Sequence, residues 1–475
     1  MKHLPKTLLV ANRAEIACRV FKTCRKMNIR TLAVYTPSDI GCSRHMLEAD
    51  DAIEISNYLS INEIVDAAKR TNAQAVHPGY GFLSENPQFA DRCNAEGLVF
   101  IGPSGDSMRA IGDKSRARQT ADAVGVPITS GLGPFTNVAQ VVQAVKQIGL
   151  PVMLKAAAGG GGKGMKLIQS FENIEDVAEA AQRETASAFG DDRLIVEQYL
   201  NPVRHIEVQL MADGEKAIAL GERECSLQRR HQKLIEESPS MAVSNETREK
   251  LFDSARRIAE SVGYKGAGTC EFLVTSDERF YFLEVNARLQ VEHPVTELCT
   301  GLDLVQMQIE TAFGKPLPAQ NAVNRTGFAI EARLCAEDPW HGFLPSAGRI
   351  LFKRFSNEVR VDEGVDSAVS PHYDSLIAKM IAYDSTSREA ARLKLIRALE
   401  DSAVIGVATN QEYLIKLLQS VEFQKHETYT TTVDAFQTAP DPPSETALRA
   451  AALIMRGPTK PSNAVFEALG TWRLA

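Results

Sequence analysis

The stretch AGTCEFLVTSDERFYFLEVNARLQVEH (267–293) decides the fold. Two runs rich in β-branched and aromatic residues flank Asp277-Glu278, a turn signal, so the segment reads as an antiparallel hairpin. A turn centred there sets Glu271 directly opposite Glu284 on one face. Like charges so opposed destabilise a sheet unless a cation lies between them, and paired carboxylates are a usual way to hold Mg²⁺ against substrate phosphates. The second run then alternates with period two. Glu284, Asn286, Arg288, Gln290 and Glu292 share one face, while Val285, Ala287, Leu289 and Val291 share the other. A merely half-solvated strand would accept interchangeable Lys, Thr and Ser and has no reason to oppose two glutamates. The expectation is one continuous strand carrying, in order, two metal ligands, an anion binder, a polar contact and a base.

Upstream, PVMLKAAAGGGGKGMKLI (151–168) surrounds Lys163 with Gly159, Gly160, Gly161, Gly162 and Gly164. A Rossmann turn would lead into a helix, yet Met165-Lys166-Leu167-Ile168 reads as a strand. Walker A fails as well, because Ala157 stands at its first glycine and Gly164 follows the lysine. What remains is strand, glycine loop, strand: a hairpin whose backbone N–H groups can close over phosphates, with Lys155 within reach of them.

The N-terminal part alternates short β-rich runs, TLLVAN (7–12), RTLAVYT (30–36), AQAVHPG (73–79) and LVFIGPS (98–104), with helical patterns such as EIACRVFKTCRKM (15–27). Strands alternating with helices predict a doubly wound parallel sheet, although the first strand-to-helix turn, VANRAEIA, holds no glycine. The 475 residues suggest three domains at about 150 residues each. Lys and Arg total 53 against 60 Asp and Glu, a net −7 that disfavours nucleic acid as a partner. Eight cysteines without a CxxC pair argue against zinc ribbons and a secreted disulfide framework. No apolar run approaches the roughly 18–20 residues that span a bilayer. The expectation is a cytoplasmic enzyme with neither nucleic acid nor membrane as partner.

At this point the residues resemble a known family. The glycine loop between strands, the lysine before it and the paired carboxylates look like the ATP-grasp superfamily. HPGYGFLSEN (77–86), IGDK (111–114), RHIEVQ (204–209), ERECSLQRRHQK (222–233), EVNARLQVEHPVTE (284–297), EARLCAEDP (331–339) and FLPSAG (343–348) narrow the resemblance to biotin carboxylase over about 1–440. The resemblance implies an α/β ATP-grasp fold with four parts. These are a Rossmann-like pre-ATP-grasp domain (1–113), an ATP-grasp domain (114–330) with a glycine-loop lid over about 130–205, an α+β C-terminal domain (331–440) and a linker-like tail (441–475).

The resemblance also implies the chemistry. ATP phosphorylates bicarbonate, the carboxyphosphate yields CO2 and phosphate, and the biotin of a carrier domain is carboxylated through its enolate. This is the first half-reaction of an acyl-CoA carboxylase. By resemblance Lys114, Lys155, Gly159–Gly164 and Lys163 hold ATP phosphates. His205, Gln228 and His231 line the nucleotide site, and Glu197 and Leu200 form the adenine-side hinge. Glu271, Glu284 and Asn286 bind two Mg²⁺ or Mn²⁺ ions, and Arg288, Gln290 and Val291 hold bicarbonate. Glu292 is the base, kept ionised beside Arg288. Lys233 binds carboxyphosphate, Arg333 stabilises the enolate, and Tyr80 and Arg333 contact biotin. No AMKM-like biotinyl site occurs, so biotin is expected on a carrier protein or domain, with a carboxyltransferase subunit as a further partner and a homodimer as the oligomer. The ending AVFEALGTWRLA (464–475) looks like the start of the domain that follows this module in acyl-CoA carboxylase α-subunits. Two alternatives stay open: another ATP-grasp carboxylate–amine ligase, or the biotin carboxylase part of a pyruvate or other carboxylase.

Overall fold

The computed structural model describes residues 3–157, 165–230, 232–442 and 445. At the N-terminus β1 (Thr7–Val10), β2 (Arg30–Tyr35), β3 (Asp51–Glu54), β4 (Ala75–His77) and β5 (Val99–Phe100) form a parallel sheet in the order β3-β2-β1-β4-β5. Leu8, Leu9 and Val10 are fully buried at its centre, as the apolar run requires. The sequence reading misses β3, because DAIE at the sheet edge lacks a buried apolar run. Helix α1 (Ala14–Lys26) buries Ile16, Val20, Phe21 and Cys24. With no glycine in the turn, Ala14 itself takes φ 54°. Gly364 approaches this turn so closely that an added Cβ would lie 1.9 Å from the Glu15 nitrogen. The C-terminal part of the chain is thereby seated against the start of α1.

A second, antiparallel sheet joins β6 (Gly131–Phe135), β7 (Val152–Ala156), β8 (Lys166–Ile168) and β9 (Leu194–Gln198) in the order β6-β9-β7-β8. Val152 pairs with Ile168 and Leu154 with Lys166, so the strands on either side of the glycine run are antiparallel neighbours. Gly159–Gly162, Lys163 and Gly164 lie outside the described residues, as does His231. So does all of the tail after Pro442 except Glu445.

The largest sheet has eight strands. β10 (Val203–Asp213), β11 (Ala217–Arg229), β12 (Gln232–Ser238), β13 (Lys265–Thr275), β14 (Phe280–Asn286) and β15 (Phe328–Cys335) are joined by strands Leu376–Asp384 and Arg360–Glu363. The order β14-β13-β10-β11-β12-β15 continues through Leu376–Asp384 to Arg360–Glu363, so one sheet runs unbroken across residues 330 and 331. Glu271 does stand opposite Glu284, but by a different route from the one expected. The turn is Ser276–Glu278, with Glu278 at φ 59° and Val274 opposite Phe280, which alone would misalign the glutamates. Leu283 is bulged out between the pairs Phe272–Phe282 and Glu271–Glu284, and the extra residue restores the register.

The expected continuous strand to Glu292 does not form. β14 stops at Asn286, an irregular segment with a bend at Arg288 and a turn at Val291-Glu292 follows, and a helix runs from His293 to Thr300. Pro294 in its first turn favours a helix start there. The alternation nonetheless survives the loss of pairing. Val285, Ala287 and Leu289 are buried in the core while Asn286, Arg288, Gln290 and Glu292 face a cleft. Val291 departs from the pattern and also lines the cleft. No helix among the described residues is long and apolar enough to cross a membrane.

Candidate active site

A cleft of about 1000 Å³ lies where the three sheets meet. It is lined by every described residue that the sequence singles out: Tyr80, Lys114, Lys155, Glu197, Leu200, His205, Gln228, Lys233, Glu271, Glu284, Asn286, Arg288, Gln290, Val291, Glu292 and Arg333. The polar row is therefore not a solvated sheet face. Glu271, Gln290 and Glu292 are 5%, 3% and 2% exposed, and buried charge demands partners.

Glu292 has two. Lys233 Nζ donates to its Oε1 at 2.6 Å and Arg333 Nη2 to its Oε2 at 2.8 Å. Burial works to raise its pKa, but Lys233, Arg333 and Arg223 outweigh that and hold the carboxyl well below its ordinary range. The expected neighbour, Arg288, is engaged elsewhere, donating from Nε to Glu85 Oε2 at 3.1 Å. The cations that keep Glu292 ionised thus come from β11, β12 and β15, neighbouring strands of the large sheet.

Lys233 is the hub of this group. Its Nζ also donates to Glu207 at 2.6 Å and to Glu271 at 3.1 Å. Burial disfavours its charge, yet Glu207, Glu271 and Glu292 raise its pKa well above the usual lysine value. His205 Nε2 lies 2.9 Å from Glu271 Oε2, and Asn286 Nδ2 and Gln290 Nε2 both donate to Glu271 Oε1, at 2.8 and 2.9 Å. Lys114 donates to Glu284. Glu271, Glu284 and Asn286 present hard oxygen donors of the type Mg²⁺ and Mn²⁺ prefer, and two ammonium groups now balance the carboxylates. The donor set fits such a cation.

On the cleft wall formed by the four-stranded sheet Lys155 donates to Glu197 at 2.7 Å, and Arg118 Nη1 lies 3.3 Å from the same carboxylate. Burial opposes ionisation of Glu197, but these two cations lower its pKa below the ordinary value. Its carboxylate therefore orients Lys155. Arg333 is shared between Glu292 and Glu236, whose Oε1 accepts from Arg333 Nε at 2.6 Å. Burial is the main reason the Glu236 pKa is pushed up to about 7, against the pull of Arg333.

The sequence reading assigns no role to Glu207, Arg223, Glu236 or Glu85. For the first two a signal exists. His205, Glu207 and Gln209 alternate on β10, and Arg223 is fully buried on β11, donating to Glu207, to Gln209 at 2.7 Å and to Gln290 at 2.8 Å. A buried alternating polar run is unusual for a core strand. For Glu85, which accepts from the Ala287 N–H at 2.8 Å across a separation of 202 residues, nothing local points to it.

Comparison with known proteins agrees with this geometry. Residues 5–108 match the family model for the biotin carboxylase N-terminal domain, 113–320 the carbamoyl-phosphate synthase L chain ATP-binding domain, and 331–435 the biotin carboxylase C-terminal domain. The chain is 41% identical over 492 residues to the mitochondrial methylcrotonoyl-CoA carboxylase subunit alpha of Dictyostelium discoideum, covering 98% of this chain and 70% of that one. It is 44% identical to urea amidolyase of Saccharomyces cerevisiae, but spans only 24% of that protein's length. The biotin carboxylase–β,γ-ATP complex of Campylobacter jejuni superposes with a TM-score of 0.88 at 38% identity, covering 91% of this chain and 99% of that one. The biotin carboxylase domain dimer of Hydrogenobacter thermophilus 2-oxoglutarate carboxylase, solved with MgADP, ADP and bicarbonate, gives 0.89 at 39% identity over 92% of this chain and 100% of that one. The chain belongs to the biotin carboxylase family.

Proposed function

We propose that this chain carries out ATP- and bicarbonate-dependent carboxylation of biotin presented on a carrier domain, through carboxyphosphate. The observation that carries the reading is the Glu292 carboxylate, ionised and buried between Lys233 and Arg333 in a cleft that Lys155 also lines. A base must be ionised before it can take the bicarbonate proton. Once an anion enters and shares Lys233, that cation's pull on Glu292 weakens and its affinity for a proton rises. Arg288 and the Val291 backbone are the groups proposed to hold bicarbonate, and Gln290 supports Glu271 in the same row. Lys114, Lys155 and the glycine-loop residues are assigned to the ATP phosphates, and Leu200, His205 and Gln228 to the rest of the nucleotide. Bound at Glu271, Glu284 and Asn286, Mg²⁺ or Mn²⁺ supplies positive charge against the transferring phosphoryl group. Arg333, a cation that cannot lose its proton, is assigned to the biotin enolate, with Tyr80 at the same end.

The same reading divides the chain near residues 113, 330 and 440, makes it a cytoplasmic homodimer, and gives it a biotin carrier and a carboxyltransferase as partners. The partner selects the final acceptor, of acyl-CoA type by the likeness to the methylcrotonoyl-CoA carboxylase subunit. The deciding experiment measures ADP release with and without bicarbonate and free biotin. Release that needs bicarbonate and rises with biotin is expected. Equal release with bicarbonate rigorously excluded would point to another ATP-grasp ligase.

A further inference from the structure

Two fully buried residues that do not line the cleft hold the backbone of its anion-binding end. His293 Nδ1 meets the Gln290 carbonyl at 2.7 Å; a carbonyl only accepts, so Nδ1 carries the hydrogen. The His293 backbone N–H points to the same oxygen at 3.3 Å. One residue on, Lys379 Nζ donates to the Val291 carbonyl at 2.8 Å. Lys379 is itself anchored, 3.2 Å from Glu15 Oε2 and 3.9 Å from Asp362 Oδ2, and Tyr80 donates to the other Glu15 oxygen.

Peptide planes are rigid, so fixing a carbonyl fixes the N–H across the same bond. The plane held by His293 carries the Val291 N–H. The plane held by Lys379 carries the Glu292 N–H and leads directly into the Glu292 side chain. No regular pairing does this work, because β14 ends at Asn286. The Lys379 anchor also ties α1, through Glu15, to strand Leu376–Asp384 across the cleft.

We propose that His293 and Lys379 are positioning residues that clamp two successive peptide planes and so fix the Val291 N–H and the Glu292 carboxylate for bicarbonate. The inference rests on the biotin carboxylase reading. It does not require either side chain to touch a substrate. Both contacts fall on the Gln290 and Val291 carbonyls, in the segment assigned to bicarbonate, and neither side chain lines the cleft, so the clamp should act on bicarbonate and not on ATP.

The test is steady-state ADP release by the whole chain, with bicarbonate and ATP varied separately, for Lys379→Met, His293→Phe and His293→Asn. Lys379→Met and His293→Phe are expected to raise the bicarbonate KM roughly tenfold, the effect of one lost strong hydrogen bond, with the ATP KM within about twofold of wild type. His293→Asn, whose amide nitrogen can replace Nδ1–H, is expected to recover much of the loss. A folded Lys379→Met or His293→Phe with unchanged bicarbonate KM overturns the clamp, as does a parallel rise in ATP KM. If only one of the two folds, that one decides. If neither folds, the residues are structural and the proposal fails. Wild-type ADP release that ignores bicarbonate is a separate result, and it sinks the reaction instead.

Discussion

Glu284 stands directly opposite Glu271 across β13 and β14, yet the two carboxylates are held by different lysines, Lys114 on Glu284 and Lys233 on Glu271. Each lysine comes from outside the hairpin, so the repulsion within it is balanced by the tertiary fold. On the proposed reading, a divalent cation would replace an ammonium as the counter-charge of this pair.

Glu284→Gln should therefore affect function far more than folding. The amide oxygen of the substituted side chain can still accept from Lys114, and the pair is partly open to solvent, with 18% and 29% side-chain exposure. Stability without metal is expected to change by no more than about 1 kcal/mol. Metal-dependent ATP turnover should fall by about 10²–10³, the usual cost of one electrostatic group at the transition state. Thermal melts and ADP assays on the same preparation check both. A large drop in Tm without metal would show the pair to be structural.

Glu292→Gln and Arg333→Ala are expected to separate two steps. Losing the base should remove bicarbonate-dependent ADP formation whether or not biotin is present. Losing Arg333 should spare much of that ADP formation while carboxybiotin falls by roughly 10²–10³. Parallel assays of ADP and carboxybiotin read the contrast. Equal loss of ADP formation in both variants is the outcome that refutes this division.

Glu331 sits opposite Glu236 across β12 and β15, fully buried, with neither carboxylate oxygen hydrogen-bonded among the described residues. Burial, opposed by Lys379 and reinforced by Glu236, raises its pKa well above the ordinary 4.5. With the folded value raised, the folded state binds more protons than the unfolded one between the two values. Its contribution is present at low pH and is lost as pH rises through the folded value. Glu331→Gln should match wild type near the acid end and be the more stable variant near pH 8. Melting temperatures across that range test this, and parallel curves would contradict it.

Ala14 holds φ 54° at the start of α1, a left-handed conformation that costs a residue with a Cβ about 1–2 kcal/mol and glycine very little. Ala14→Gly removes that strain but loosens the unfolded chain, a smaller penalty of about 0.5–1 kcal/mol. A stability unchanged or raised by up to about 1 kcal/mol is expected. Chemical denaturation measures it. A clear loss would mean that the methyl group packs usefully in this turn.

Much of the site was legible because its chemistry is concentrated in short runs. The alternation from Glu284 to Glu292, the opposed glutamates and the lysine before the glycine run all depend on neighbours in sequence, and local backbone geometry reads them out. The same locality misled at two places. The sequence cannot reveal that the turn is Ser276–Glu278 and that a bulge at Leu283 corrects it, since both errors cancel at Glu271. Nor does it show that the strand ends at Asn286 while its alternation continues in an unpaired segment. Counter-charges were decided by tertiary structure alone. Lys233 and Arg333 on Glu292, Glu85 on Arg288, and Lys379 on the Val291 carbonyl join residues 41 to 203 positions apart. A buried charge must find a partner wherever the sheets bring one, and that depends on which strands become neighbours.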